Sequence, residues 1–222
     1  MISERRRQRS DTNHEGRILE IMKALQKKQL ILILAAAAAA ALLAGCSGKK
    51  GGSNSGLKGI HHAEINIEDY GTVKVELDGD TAPITVGNFV ALAKDGFYDG
   101  LTFHRIIDGF MIQGGDPLGN GTGGSDKTIK GEFASNGVKN DISHKKGVIS
   151  MARAADPDSA SSQFFIMVAD TPSLDGDYAA FGHVTEGQEI VDKIAADAKP
   201  VDGNGTIPVE NQPVITGITI TD

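Results

Sequence analysis

Apolar and polar residues alternate in two neighbouring stretches that begin shortly after residue 60. Residues 62–68 (HAEINIE) and residues 71–77 (GTVKVEL) place apolar side chains at every second position, which is the pattern of strands with one buried face. The link between them, residues 69–71, is short enough for a tight turn. This part of the sequence therefore predicts an antiparallel β-hairpin.

The residues after this hairpin predict two helices and six further strands. Apolar residues recur at helical spacing over residues 81–96, where Thr81 is the predicted N-cap, Pro83 falls in the first turn and Gly96 ends the helix. A second short helix is predicted over residues 187–196. Strand-like apolar runs lie at residues 101–107, 110–113, 148–152, 163–168, 180–184 and 213–220. Because the strands do not alternate with helices, we predict a mainly β fold, a closed eight-stranded antiparallel barrel capped by two α-helices.

The first part of the chain has the pattern of a targeting signal. An apolar run, Leu30–Ala44, follows three lysines; it is shorter than the roughly 20 residues of a membrane-spanning helix and is typical of a signal-peptide core. The run leads into Leu43-Ala-Gly-Cys46, which resembles a bacterial lipobox, the signal whose cysteine is acylated and becomes the new N-terminus. Cys46 is the only cysteine of the chain, so we predict lipid attachment there.

These features divide the chain into four segments. Residues 1–21 form an extension whose arginines lie too far from the apolar run, which indicates either a true start at Met22 or a short basic extension. Residues 22–45 are the predicted lipoprotein signal peptide, and residues 46–59 are a Gly/Ser-rich flexible tether. Residues 60–222 have the size of a single folded domain. We expect this domain to lie outside the cytoplasm, lipid-anchored to the cell membrane.

The charge distribution excludes binding of nucleic acid through the field of the folded part. The chain has 22 basic and 29 acidic residues, and residues 1–45 hold eight of the former and four of the latter. Residues 46–222 therefore have 14 basic and 25 acidic residues, a net charge of −11, whereas phosphate binding needs clustered Lys and Arg. A single cysteine also excludes an internal disulfide framework and a multi-cysteine zinc site.

Several formal motif matches carry little weight. Residues 119–124 satisfy G-x-G-x-x-G, but no helical periodicity follows them, as dinucleotide binding requires. The serines within residues 159–162 lack the G-x-S-x-G context of a nucleophile elbow. The six histidines show no metal-ligand spacing, so no cofactor or metal is expected. A general-acid pair such as Asp156 and Asp158 stays open as an alternative, although Pro157 between them favours solvated turn carboxylates.

One cluster of polar residues lies within otherwise apolar predicted strands. By strand alternation, Arg105 shares a face with Phe103 and Ile107, and Met111 shares a face with Gln113 in the next strand. An arginine among apolar neighbours is paired or functional. For Arg105 alone, a structural ion pair would be the favoured interpretation.

The sequence around this cluster resembles the signature of the cyclophilins, the peptidyl-prolyl cis–trans isomerases. The main signature is residues 103–116 (FHRIIDGFMIQGGD). The resemblance as a whole spans roughly residues 60–222, in the family's order and spacing. It continues through residues 121–124, His144, residues 147–152, 162–166, 174–176 and 181–182.

The resemblance implies a set of eleven site residues. Arg105 is the implied catalytic arginine, and Gln113 is the polar partner that orients it. The implied proline pocket consists of Phe110, Met111, Phe165 and Leu174, with Tyr178 at its edge. The implied groove for the residues before proline consists of Ala152, Arg153 and Gln163, with Gly121 on its rim.

Three positions depart from well-known members of the family. Ser173 stands where sensitive members have a tryptophan that donates a hydrogen bond to the drug cyclosporin, and Tyr178 replaces a histidine. These two changes put drug affinity in doubt more than catalysis. Arg153 stands where many members have asparagine, so the preference for the residue before proline is expected to shift.

The resemblance implies an isomerase without cofactor that acts on proline-containing polypeptides. Together with the predicted anchor at Cys46, it indicates a monomeric, extracytoplasmic enzyme that assists the folding of exported or surface proteins. Two alternatives belong to other classes. A non-catalytic proline-peptide-binding chaperone module on the same fold would be favoured by the loss of Arg105 or Gln113, and a purely structural lipoprotein would lack the combined pocket.

Overall fold

Eight antiparallel strands form one sheet in the computed structural model, which describes residues 56–222. The strands are β1 (Ile60–Ile67), β2 (Gly71–Asp78), β3 (Thr102–Ile107), β4 (Met111–Asp116), β5 (Val148–Met151), β6 (Phe164–Met167), β7 (Ala180–Glu186) and β8 (Ile215–Ile220). Their order in the sheet is β3-β4-β6-β5-β7-β2-β1-β8. The predicted extension, the signal peptide, Cys46 and most of the tether lie outside the described residues.

The first two strands form the hairpin that the sequence alternation predicts. Their register runs from Ile60 opposite Asp78 to Ile67 opposite Gly71. Within the predicted strands, the alternating apolar residues 63, 65 and 67 of β1 and 73, 75 and 77 of β2 are buried on one face, which confirms the predicted phase, whereas Ile60 at the start of β1 is exposed. The folded part also includes residues before β1, because the Leu57 amide donates to the Pro83 carbonyl (2.9 Å).

Two helices, α1 (Pro83–Lys94) and α2 (Gln188–Asp197), pack against this sheet. Pro83 occupies the first turn of α1 as predicted, but the N-cap residue is Ala82 and not Thr81. The Thr81 hydroxyl donates instead to the Asp78 carboxylate (2.6 Å), which stabilises the turn after β2. No helix within residues 56–222 is long and apolar enough to cross a bilayer.

Strand alternation distributes apolar residues between two clusters on opposite faces of the sheet. In β6, Phe164 and Ile166 belong to the main core, whereas Phe165 and Met167 belong to a smaller cluster on the other face. The main core is centred on Phe89 of α1, whose ring lies 5.3–5.5 Å from those of its aromatic neighbours. The smaller cluster lies on the outer face of β4, β5 and β6, where partly buried residues such as Phe110, Leu174 and Tyr178 pack against it.

The expected closed barrel is only partly formed. The sheet ends at β3 and β8, and no continuous ladder joins these two strands. The two ends meet only at residues 100–103 and 213–215, through the bridge between Thr102 and Val214 and a few backbone hydrogen bonds, such as that from the Ile215 amide to the Leu101 carbonyl (2.7 Å). The reason is that another segment occupies the edge of β3. The Ile106 amide donates to the Gly205 carbonyl (2.8 Å), and the Ile207 amide donates to the His104 carbonyl (3.0 Å). The result is an open half-barrel with its β3 edge covered by the loop before β8.

Candidate active site

A β-bulge in β3 determines the direction of the Arg105 side chain. The register between β3 and β4 shifts on both sides of Phe103, and Arg105 pairs with Gln113. Phe103 is fully buried in the main core, whereas Arg105 is partly exposed and Ile107 packs on the smaller cluster. The prediction that Arg105 shares a face with Phe103 was therefore wrong, because a bulge interrupts the two-residue period of a strand. The prediction that it shares a face with Ile107 agrees with this placement.

Three groups fix the guanidinium of Arg105. Its Nη1 donates to Oε1 of Gln113 (3.2 Å) and approaches the sulfur of Met111 (3.9 Å), while its Nε donates to the backbone carbonyl of Asn204 (2.8 Å). The guanidinium carbon lies 5.9 Å from the centre of the Phe110 ring. Burial lowers the pKa of Arg105 from its ordinary value, but an arginine remains protonated at neutral pH. The site thus presents a fixed, permanently charged donor.

The amide of Gln113 is oriented by a second glutamine. Its Nε2 donates to Oε1 of Gln163 (2.9 Å), which leaves its own Oε1 for Arg105. Gln163 in turn donates through Nε2 to the carbonyls of Gly121 (3.2 Å) and Gly123 (2.7 Å). A continuous chain of hydrogen bonds therefore connects the glycine-rich loop after β4 to the guanidinium.

An apolar pocket of about 140 Å³ opens beside the guanidinium. It is lined by Arg105, Phe110, Met111, Gln113, Ala152, Arg153, Phe165, Leu174 and Tyr178. Phe165 forms the floor on the smaller apolar cluster, and its ring meets the Tyr178 ring edge to face at 5.9 Å. Nine of the eleven residues that the resemblance implies are brought together here.

A polar groove of about 340 Å³ adjoins the apolar pocket. It is lined by Gln113, residues 121–125, residues 152–154, Ser159, Ser161 and Gln163. The two remaining implied residues, Gly121 and Gln163, lie in this groove. Gln113, Ala152 and Arg153 line both cavities, so they form the boundary between them.

The glycine-rich loop that forms one wall of the polar groove folds around a carboxylate of its own chain. Asp116, at the end of β4, accepts hydrogen bonds from the amides of Leu118 (2.8 Å), Asn120 (3.0 Å) and Gly121 (2.6 Å). Burial would raise the pKa of Asp116, but these backbone donors outweigh it and hold the pKa below its ordinary value. The amides of Leu118, Asn120 and Gly121 are therefore occupied by a carboxylate of the loop's own chain.

The other chemical alternatives also have structural roles. The Asp158 carboxylate accepts from the Gly131 amide (3.0 Å) and from Asn136, and the Asp156 carboxylate accepts from the Asp158 amide (2.9 Å), so both acids stabilise turns. Ser162 is buried and donates to the Gly115 carbonyl (2.8 Å). Within residues 56–222, no three His, Cys, Asp or Glu side chains are grouped to hold a metal ion.

Two supporting features of the site were missed by sequence reasoning. The Asn204 carbonyl has no sequence signal, because any residue supplies a carbonyl. The His144 ring stacks on Phe165 (6.1 Å between centres) and is held between Asp175 (2.9 Å) and Ser150 (3.0 Å). Burial lowers the pKa of His144 despite the nearby Asp175 carboxylate, which favours a neutral ring behind the pocket. His144 belonged to the motif, but the sequence alone indicated no role for it.

Comparison with known proteins agrees with this geometry. The family described as "Cyclophilin type peptidyl-prolyl cis-trans isomerase/CLD" matches residues 62–221. The chain belongs to the cyclophilin family. It is therefore a peptidyl-prolyl cis–trans isomerase, as are the similar curated proteins.

Bacterial peptidyl-prolyl cis-trans isomerases are among these relatives. The chain is 51% identical to a peptidyl-prolyl cis-trans isomerase of Helicobacter pylori over 126 residues, 56% of this chain and 74% of the relative. It is 49% identical over 123 residues to the peptidyl-prolyl cis-trans isomerase B of Bacillus subtilis, 55% of this chain and 82% of the relative. A Cryptosporidium parvum cyclophilin, crystallised in the presence of the dipeptide Ala-Pro, superimposes with a TM-score of 0.64. It is 31% identical, and the match covers 72% of this chain and 99% of that one.

The environment of Ser173 predicts weak inhibition by cyclosporin. Ser173 is exposed in the short turn Pro172–Leu174, next to Leu174 in the pocket wall. Its side chain is too short to replace the indole contact and hydrogen bond of sensitive members, a loss of roughly 1–3 kcal/mol. We expect Ser173→Trp to tighten inhibition by about 5-fold or more, as measured by titration of isomerase activity with the drug. Ser173→Leu, which adds apolar area without a donor, is the matched control, and equal, tight inhibition of wild type and Ser173→Trp would contradict the prediction.

Proposed function

We propose that this cyclophilin accelerates rotation about X–Pro bonds in exported or surface proteins and thereby assists their folding. The observation that carries the proposal is the guanidinium of Arg105, which Gln113 and the Asn204 carbonyl hold beside an apolar pocket. Uncatalysed X–Pro isomerisation takes about 10–100 s and limits folding. A catalyst of this step is useful wherever proteins fold after export.

The chemistry of the bond indicates what the guanidinium does. Amide resonance keeps the X–Pro bond planar and imposes a barrier of about 18–20 kcal/mol. In the twisted state the prolyl nitrogen regains its lone pair. Arg105 can donate a hydrogen bond to that lone pair and so bind the twisted amide better than either planar form, which is the requirement for catalysis. The step needs no proton transfer, because the guanidinium stays protonated throughout.

The two cavities bind different parts of the substrate. The apolar pocket, with Phe110, Met111, Phe165 and Leu174 in its walls, accommodates the proline ring while the preceding carbonyl rotates. The polar groove accepts the residues before proline, with backbone and amide groups at Gly121 and Gln163. Gln113 positions Arg105 and shares in the hydrogen-bond chain to the groove.

A protease-coupled isomerisation assay on the full chain tests this proposal. We expect acceleration of cis–trans exchange in a short Ala-Pro peptide and faster refolding of a protein whose folding is limited by proline isomerisation. A folded protein that binds the peptide without accelerating exchange would contradict the proposal and favour the non-catalytic binding module. The presence of both Arg105 and Gln113 in bonded contact supports catalysis over that alternative.

We also propose that the enzyme acts while attached to the cell membrane through Cys46. Support for this comes from the sequence alone, since the lipobox-like residues 43–46 lie outside the described residues. A tether of ten residues, 46–55, would separate the lipid from the first described residue. Fully extended, it spans at most about 36 Å, so the isomerase would work close to the bilayer.

The Cys46→Ser variant is expected to lose lipid attachment completely, because Cys46 is the only thiol of the chain. The protein should then stay uncleaved or be released in soluble form, whereas a diacylated cysteine binds membranes stably. Cell fractionation and fatty-acid labelling measure the outcome, with Ser47→Ala as the control that retains the thiol. A cleaved Cys46→Ser protein that still requires detergent for release would count against the anchor.

A further inference from the structure

Both arginines of the folded part line the same pocket. Residues 46–222 have a net charge of −11, and Arg105 and Arg153 are their only arginines. The two guanidinium groups lie in the wall of the apolar pocket, and Arg153 also lines the polar groove. No acidic residue lines either cavity. An acidic domain thus presents a positively charged site.

Neither guanidinium forms an ion pair with a carboxylate among residues 56–222. The ion pairs among residues 56–222 all use lysine or histidine as the cation. The negative charge of Asp202 acts on Arg105, but its carboxylate accepts hydrogen bonds from the amides of Asn204 and Thr206 (both 3.0 Å). Asp177 contacts Arg153 through its backbone carbonyl, which accepts a hydrogen bond from Nε (2.9 Å).

The side chain of Arg153 is held in place by neutral groups. Its guanidinium lies 4.9 Å from the centre of the Tyr178 ring and 5.1 Å from that of Phe133. Its Nε and Nη1 atoms donate to backbone carbonyls, whereas its Nη2 atom has no acceptor among the described residues. A fixed cation with free N–H donors is suited to bind a carboxylate.

We propose that this cyclophilin prefers substrates in which the residue directly before proline is acidic, and that Arg153 determines this preference. The inference rests on the proposed function, in which proline occupies the apolar pocket and the preceding residues occupy the polar groove. The substrate peptide must then cross the boundary between the two cavities at the residue before proline. Arg153 lies at this boundary. A carboxylate there would pair with Arg153 and offset its charge.

The test compares kcat/KM of the full chain for two matched pairs of peptides. One pair carries Glu or Gln directly before proline, and the other carries Glu or Gln one position earlier. For the first pair we expect a preference for Glu of about fivefold at low ionic strength, the size of one partly exposed ion pair. The preference should fall when salt rises from about 0.02 M to about 0.5 M, because mobile ions screen the pair.

Substitution of Arg153 tests whether this residue causes the preference for Glu before proline. Arg153→Gln is expected to abolish the preference and Arg153→Lys to keep part of it, while Lys94→Gln, an equal charge change on α1 that lines neither cavity, should keep it fully. A wild-type protein that turns over both peptides equally would overturn the inference and leave the proposed function intact. No turnover of any peptide would overturn the proposed function itself. A preference that persists in a folded Arg153→Gln protein, or that appears only at the earlier position, would overturn the assignment to Arg153.

Discussion

Replacing Arg105 with alanine is expected to lower kcat/KM for X–Pro isomerisation by at least about 100-fold. This corresponds to about 2.7 kcal/mol of lost transition-state stabilisation. The physical reason is that the donor directed at the prolyl nitrogen is removed, while Gln113 and the apolar pocket remain. The fold should survive, because Arg105 is partly exposed and lies outside the main core. A protease-coupled assay measures turnover, and circular dichroism verifies folding.

Two further variants make this result specific. Arg105→Lys keeps the charge but cannot bond to both Gln113 and the Asn204 carbonyl from two nitrogens of a planar group, so an intermediate loss is expected. Lys94→Ala removes one positive charge on α1, outside both cavities, and should leave turnover close to that of the wild type. Near-normal turnover in a folded Arg105→Ala protein would contradict the proposed mechanism.

The strand periodicity predicted most of the fold but not its irregular points. The hairpin of β1 and β2 was readable because both strands bury one face and therefore alternate strictly. The phase at Phe103 and Arg105 could not be predicted, because a bulge adds a residue to the strand without a visible sign in the sequence pattern of apolar and polar residues. The predicted closure of the barrel was also wrong, since the competing partner of β3 is residues 205–207, a turn segment without strand periodicity.

The site residues came from family resemblance rather than from periodicity. Alone, Arg105 would have been interpreted as half of an ion pair, and the structure instead bonds it to Gln113 and the carbonyl of Asn204. Backbone acceptors and long-range partners leave no local pattern in a sequence. The same holds for Asp116, whose carboxylate organises the glycine-rich loop, and for Glu132, whose carboxylate binds the first-turn amides of α1.

Replacing Glu132 with alanine is expected to destabilise the domain by about 3 kcal/mol, because its side chain supplies the acceptors that the N-cap residue Ala82 lacks. Glu132 is 3% exposed, and its carboxylate accepts from the amides of Ile84 (3.0 Å) and Thr85 (2.8 Å) and from the Thr85 hydroxyl (2.7 Å). These amides are orphan donors of the first turn of α1, for which Ala82 has no capping side chain. Each buried donor left without an acceptor costs about 1–3 kcal/mol. The melting temperature should therefore fall by roughly 6–12 °C.

Thermal and urea unfolding of the full chain, followed by circular dichroism, measures this effect against a matched control. Glu186→Ala removes an exposed carboxylate that pairs with Lys74 (2.8 Å) and should change stability by less than about 1 kcal/mol. Glu132→Gln keeps one oxygen but directs an amide N–H toward the helix donors, so a loss between those of the two alanine variants is expected. If Glu132→Ala unfolds at the same temperature as Glu186→Ala, the buried carboxylate does not cap α1. A loss of stability in Glu132→Ala but not in Glu186→Ala would instead show that Glu132, 47 positions after Thr85, fixes the start of α1. This helix places Phe89 in the core.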